Sequence, residues 1–408
     1  MELRLEEIEG SEYQNFVDSV RDKETFRKYD SYLAMFLELI PNSIFKKYLN
    51  YEPLSRKKVD LAVSFVNLAQ SDVKIAKSII AAYVRDMKKL HKEGKLMPST
   101  IKNRLKPIKA LLKSNDIEIS WYLVDKSLPK IGKSTDRAYT REELQNMMEK
   151  AIDITDKVIL TTASSSGIRV ESWNFFTWSD LVIFYNEDNT PKGGALRVYH
   201  GDIEEYWTHI TPEAAKFWLL YKEMWKSRFM RYPKQTDPLL VQVKKSTITR
   251  LGLSGVKARV TTMATAIGLR PPLEHGKMNH EVMINHGMRK YHNTMLRRSK
   301  VDFADKEDMQ GRSPGAQEGS YERYVEQDFE RFTEYTKAIF ELTISEDERN
   351  KFNLVEKQNK IDKLQAKTKK IDKLEEIVKE LREKNSVTPD ESTEKLILSI
   401  LKDKKIID

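Results

Sequence analysis

The chain has 408 residues, 39% hydrophobic and 33% charged, with 71 Lys and Arg against 62 Asp and Glu and a net charge of +9. That length exceeds one compact core and implies two or three domains, and the basic balance suits a polyanionic partner. The absence of cysteine excludes disulfides, thiolate zinc sites and a cysteine nucleophile. The acidic start MELRLEEIEGSEYQNF lacks a signal peptide's apolar run and no window reaches membrane-spanning length, so a soluble, cytoplasmic protein is expected.

Residues 1 to about 130 read as a helical domain. Between Lys74 and Leu90, apolar residues at Ile75, Ile79, Ala82, Tyr83, Met87 and Leu90 mark one helix face, with Gly94 placed to end it. After Pro98, Ser99 and Thr100 can cap the next helix, whose apolar stripe is Ile101, Leu105, Ile108 and Leu112. Lys102, Lys106, Lys109 and Lys113 form a parallel stripe beside it. One face packs while its neighbour offers four ammonium groups to phosphate, the alternative being a plain solvated face. Pro107 lies within this pattern as a possible kink.

The stretch PKIGKSTDRA at 129–138 has linker composition. Thr140 and Glu143 then form a capping box that opens a second, mainly helical domain over about 137–342. A small hairpin is expected within it, from β-prone runs at Ala195 to His200 and Tyr206 to Ile210 around Gly201 and Asp202. Pro212 and Glu213 open a further helix. From about 345 to 383 the chain loses Gly and Pro and becomes rich in Lys and Glu. Ile361, Leu364, Thr368 and Ile371 follow a 3-4-3 spacing, as do Ile371, Leu374, Val378 and Leu381, joined by a stammer. A coiled-coil tail over 345–408 is expected, with a lone solvated helix as the alternative; SVTPDES at 386–392 interrupts it before a short helix from Thr393 to Lys402.

Four short pieces carry the chemistry: Ser166-Gly167-Ile168-Arg169, His286-Gly287-Met288-Arg289, Gly311-Arg312 and Tyr324. Two arginines can clamp one phosphate through forked hydrogen bonds. A histidine between them can move a proton, and a tyrosine can attack phosphorus and hold it covalently. His286 and Arg289 share a helix face. His275, His280, His286 and His292 are too widely spaced for a short metal motif, so no metal site is expected.

Together these pieces resemble the tyrosine recombinase (phage integrase) family, weakly over about 95–115 and well over about 137–342. SSGIRVESWNFFTWSDL resembles its first arginine box, HGMRKYHNT its second, and MQGRSPGAQEGSYERYV its third box with the nucleophile. STIKNRLKPIKALLKSN and VYHGDIEEYWTHITPEA resemble archaeal virus and plasmid integrases in particular. The sequence departs from the family's pattern in three places. Ser172 stands where a carboxylate is usual, with Glu171 one place early. Arg312 replaces the third box's histidine or tryptophan. The hairpin turn has no lysine to protonate the leaving oxygen; Lys192 and His200 are the two candidates for that role. Tyr321 fits the family's spacing from residue 312, whereas Glu-Arg-Tyr-Val fits its neighbourhood around Tyr324, the preferred nucleophile.

The resemblance implies a mainly α fold with a small β-hairpin or sheet: a helical core-binding domain, a catalytic domain and the tail. It implies cofactor-free cutting and rejoining of double-stranded DNA at attachment sites through a 3′-phosphotyrosyl intermediate, by a tetramer associated with the nucleoid. Arg169, Arg289 and Arg312 would hold the phosphate and His286 would act as base or donor. The amphipathic segment Phe329, Phe332, Tyr335, Ile339 and Phe340 would dock on a neighbouring subunit. The tail could self-associate or recruit a protein. Two rival readings are a type IB topoisomerase and a catalytically inactive DNA-binding or coiled-coil scaffold protein.

Overall fold

The computed structural model describes residues 11–132, 136–242, 246–274, 279–312 and 327–384. The chain is mainly helical, with a small antiparallel sheet and a long C-terminal helix. It divides into two compact units, Met1–Arg137 with Gly268–Met283, and Ala138–Ile267 with Ile284–Asp408.

The first unit is built from α1 (Glu12–Ser19), α2 (Lys23–Glu38), α3 (Asn42–Leu49), α4 (Lys58–Ser71), α5 (Val73–Lys92), α6 (Pro98–Lys113) and α7 (Tyr122–Ser127). Ser11, Asp22 and Asp72 start α1, α2 and α5 by accepting hydrogen bonds from first-turn N–H groups. The core joins Phe16, Leu33, Phe36, Phe45, Phe65 and Ile80 to the α6 stripe Ile101, Leu105, Ile108 and Leu112. Phe36 meets Phe65 edge-on at 5.0 Å.

Two local expectations need correction. The buried face of α5 is Ala76, Ile80, Tyr83, Val84 and Met87, while Leu90 is exposed. The face is therefore turned by about one residue from the predicted stripe. The α6 helix starts at Pro98 after Met97, with no side-chain cap, so neither Ser99 nor Thr100 acts as one. Proline at the first position needs no N–H partner there. Pro107 is buried inside α6. Near the expected linker, Arg137 pairs with Glu281 at 2.8 Å and bridges Val282.

The second unit begins with α8 (Arg141–Glu149), opened by the Thr140–Glu143 capping box. Then come α9 (Ile154–Ser166), β1 (Leu181–Tyr185), β2 (Pro191–Val198), β3 (Tyr206–Ile210), α10 (Pro212–Phe229), α11 (Leu253–Ala266), α12 (Ile284–Arg298), α13 (Phe303–Asp308), α14 (Gln327–Thr336), α15 (Ile339–Leu342) and α16 (Glu346–Lys384). The strands pair antiparallel in sequence order, with Val198 opposite Tyr206 and Leu181 opposite Leu196. The expected hairpin is thus two strands of a three-stranded sheet, and β2 begins before Lys192.

Buried α9 is the hub of this unit. Its Thr161, Ser164 and Ser166 hydroxyls donate back to carbonyls within the helix, which satisfies them and leaves small surfaces for neighbours to pack against. Arg259 of α11 forks onto Asp153 and Asp156 at the start of α9. Trp218 of α10 donates to Thr162 at 2.9 Å.

Phe332, Tyr335 and Ile339 are buried within their own chain. Phe332 meets Phe184 at 4.8 Å and His209 at 5.4 Å, so this apolar face is covered by the sheet rather than left for a neighbouring subunit. Helix α16 is one uninterrupted run of 39 residues.

Candidate active site

The end of α9 positions the first arginine. Gly167 closes the helix with φ of +62°. A Cβ there would also collide with the His292 ring, so both backbone and space call for glycine. The chain then turns extended at Arg169. Three consecutive carbonyls at this negative end of the helix receive donors: Ser165 from Tyr335 at 2.8 Å, Ser166 from Thr208 at 2.8 Å, and Gly167 from Arg289 at 2.7 Å.

Arg289 comes from α12, which buries Met288, Tyr291 and His292. Its side chain is buried, and its second terminal nitrogen donates to the Gln310 carbonyl. Arg169 donates to the next carbonyl, Gly311, at 3.0 Å. Adjacent carbonyls thus hold both guanidinium groups side by side. Gly311 has φ of +58°, and a Cβ there would strike the ring of Tyr206. Burial holds the Arg289 pKa below its ordinary value, and the charges of Arg169 and Arg312 add to that shift while Tyr206 opposes it.

Among the described residues, neither Arg169 nor Arg289 forms an ion pair with a carboxylate; their hydrogen-bond partners are backbone carbonyls. One terminal nitrogen of Arg169, Nη1, is buried without a partner among the described residues. An unsatisfied buried donor next to a second cation is costly, and an oxyanion seated there would satisfy both. The arrangement can bind and neutralise a phosphoryl group.

The other predicted residues fall at varying distances from this pair. His286 is exposed one turn before Arg289 on α12. Arg312 is exposed and pairs with Glu307 at 3.5 Å, and its charge is felt at Arg289 and His292. His200 lies in the turn between β2 and β3, 3.0 Å from Asp180. Lys192 sits over the Phe332 ring at 6.0 Å. It lies at the far end of β2 from the Val198–Tyr206 pair, roughly 20 Å along the strand. Ser172 is buried and its hydroxyl has no partner among the described residues. Tyr321, Tyr324 and His275 lie outside the described residues. No cluster of metal-ligating side chains occurs among the described residues, and none of their helices is long and apolar enough to cross a membrane.

On α6, Lys102, Lys106 and Lys113 are exposed. Lys109 differs: it pairs with Asp125 at 3.1 Å and lies over the Trp121 ring at 4.6 Å. The four-lysine stripe therefore presents three open ammonium groups and one neutralised within its own unit.

Sequence reasoning gave no role to Tyr206, Gln310 or His292. Gln310 donates to His292 Nδ1 at 3.1 Å, which ties the loop before Arg312 to α12. Burial drives the His292 pKa down to about 3, with the Arg289 charge adding to the shift. The Tyr206 hydroxyl is buried without a partner among the described residues. Contacts through backbone carbonyls leave no signature in side-chain identity. Tyr206 read only as the first residue of a β-prone run.

No family model matches the chain, and no curated protein sequence matches it. Solved structures do resemble it, and they are recombinases and integrases. A XerH site-specific recombinase bound to difH substrate in a pre-cleavage complex shares 13% identity, covers 82% of this chain and 99% of its own, and gives a TM-score of 0.41. XerA recombinase shares 14%, covering 74% and 89% with a TM-score of 0.34. An integrase from mycobacterium phage Brujita shares 12%, covering 77% and 94% with a TM-score of 0.36. Likeness at this distance does not carry an activity, which has to rest on the residues themselves.

Proposed function

We propose that this chain is a tyrosine-type site-specific DNA recombinase, of the kind carried by archaeal viruses and plasmids. The observation that carries the reading is the Arg169–Arg289 pair: two guanidinium groups fixed by adjacent carbonyls, without a carboxylate partner among the described residues, one of them holding a buried unmatched donor. The sequence boxes supply the rest of the chemistry. A tyrosine oxygen, assigned to Tyr324 with Tyr321 as the alternative, attacks the scissile phosphorus in line. The bond from phosphorus to the 5′ oxygen breaks, that oxygen takes up a proton, and a 3′-phosphotyrosyl ester remains. Attack by a 5′-hydroxyl from the partner duplex reverses the step and rejoins the strands. Energy is kept in the ester, so no nucleotide cofactor or metal enters.

Arg169 and Arg289 neutralise the non-bridging oxygens, and Arg312 adds a third positive charge. His286 serves as general base or hydrogen-bond donor. A tyrosine with a pKa near 10 is a weak nucleophile at neutral pH, and neighbouring arginines favour its ionised form. Lys102, Lys106 and Lys113 contact the DNA backbone and set position rather than sequence. Assembly is tetrameric on paired sites, with the α16 tail as a further self-association or recruitment element.

The test is to trap the covalent complex. The protein is mixed with supercoiled plasmid carrying its own gene and flanking DNA, with EDTA, then stopped with SDS and digested. A nucleotide-bearing peptide at Tyr324 supports the full reading, and one at Tyr321 keeps the chemistry and moves the nucleophile. Relaxation of plasmids without a specific site points to a type IB topoisomerase. DNA binding to a confirmed site with no adduct replaces the reading by an inactive binder or scaffold.

A further inference from the structure

We propose that the Tyr206 hydroxyl is a third hydrogen-bond donor to the phosphoryl group held between Arg169 and Arg289. The proposal rests on the recombinase reading of this site. Tyr206 opens β3 and pairs with Val198, at the end of the sheet where the turn without a lysine begins. Its ring packs against Gly311, whose missing side chain leaves room for it, and meets Tyr199 at 6.3 Å. Those contacts fix the ring. They leave its hydroxyl buried with no hydrogen-bond partner among the described residues.

The charges that act most strongly on that hydroxyl are those of Arg289 and Arg169. Arg289 approaches the phenol oxygen from its acceptor side, short of full hydrogen-bond geometry, which leaves the O–H itself without an acceptor among the described residues, and both arginines act on its ionisation. Burial keeps the phenol protonated, raising its pKa against the opposing pull of the two guanidinium groups. A protonated phenol beside two cations is a donor in need of an acceptor, and a phosphoryl oxygen between the arginines would supply one. The unmatched nitrogen of Arg169 and the unmatched oxygen of Tyr206 are then satisfied by the same group. Arg312 and Tyr199 also act on this cluster, the former through Arg289 and the latter directly on the phenol.

The experiment compares wild type with Tyr206→Phe on a nicked attachment-site duplex, reading cleavage rate, DNA affinity and melting temperature. The substitution keeps the ring that rests on Gly311 and removes only the oxygen. Cleavage should slow by about 100-fold, as for loss of one transition-state donor, with affinity unchanged within about twofold, since phosphate contacts elsewhere on the DNA dominate binding. The melting temperature should stay level or rise, because the buried O–H has no acceptor to lose. A fall of several degrees would make the hydroxyl structural and overturn the proposal.

A substrate with sulfur as the 5′ bridging atom decides which oxygen is touched, because a thiolate leaves without a proton. Tyr206→Phe should remain slow on it. Full rescue would overturn the phosphoryl contact in favour of a leaving-group proton donor. Wild-type rates for the variant beside an active wild type would remove the proposal alone. A wild type that forms no adduct at its confirmed site would remove the recombinase reading and this proposal with it.

Discussion

Arg289 places one terminal nitrogen on the Gly167 carbonyl and the other on that of Gln310, whereas Arg169 uses one on Gly311 and keeps one buried and unmatched among the described residues. Equal charges therefore have unequal structural roles. Replacing Arg289 with Ala leaves two buried carbonyls without donors, one of them at the C-terminal end of α9. A loss of about 2–4 kcal/mol is expected, measurable by urea unfolding. Arg169→Ala removes one bond and one unsatisfied donor together, so stability should change by less than about 1 kcal/mol. Both variants should lose at least about 100-fold in cleavage. A destabilised Arg169→Ala would show that its side chain serves packing first.

The two buried histidines set the acid limit of the same region. Burial depresses His292 and His209 to about 3, with Arg289 adding to the shift at His292 and Arg331 at His209. The ordinary value is near 6.5, so between those values the unfolded chain binds more protons than the folded one. Their contribution is fully present above about pH 6.5 and is lost as pH falls towards 3. At pH 5 the loss should be on the order of 2 kcal/mol for each histidine. Glu213 works the other way, since burial raises its carboxyl above the usual range. Unfolding at pH 7.5 and pH 5 should show the decline, and His292→Gln should flatten it; an unchanged slope in that variant would assign the proton uptake elsewhere.

At the scale of elements, the long helix is fastened at its first turn. The Glu213 carboxylate accepts from the N–H groups of Ile344 and Ser345, both at 2.8 Å, just before α16 begins. Arg349 lies over the Phe340 ring at 3.8 Å, and Lys216 pairs with Glu348 at 2.9 Å. Glu213→Ala strands two backbone donors and should cost about 2–3 kcal/mol. Hydrogen exchange at Ile344 and Ser345 should quicken ahead of the α9 amides. Uniform exchange across both regions would mean that α16 does not loosen separately.

Elements with local signals were legible in the sequence. The Thr140–Glu143 box and the proline start of α10 each write their own boundary, and the α6 stripe writes its buried face. The α5 face was misread by about one residue because Ile75 and Ile79 border the true face and mimic its spacing. Strand β1 was missed because LVIFY is a continuous apolar run without alternation, marked only by the Asn186–Asn189 turn that follows. The arginines were visible as motif residues. What holds them was not, because carbonyls of Gly167, Gln310 and Gly311 are shared by every residue type and meet the arginines only through long-range folding.

For the whole molecule, the two units hold separate chemistry: exposed lysines on α6 in one, the arginine pair in the other. Helix α16 extends about 58 Å. Its apolar positions Ile361, Leu364, Ile371 and Ile377 are all more than two-fifths exposed within the single chain. An isolated helix has no reason to keep such a repeat, and a helical partner would cover it. Deleting residues 357–408 retains the α16 first turn with its Glu213, Lys216 and Phe340 contacts, so melting temperature and single-site cleavage should match the full chain. Sedimentation at micromolar concentration should differ: the full chain should run as a larger species, and Leu364→Asp with Ile371→Asp should lower it to the size state of the truncated form. Identical sedimentation of all three would leave α16 a solvated helix. Strand exchange between two sites, if preserved in the truncated form, would then place assembly of the recombining complex entirely in residues before the tail.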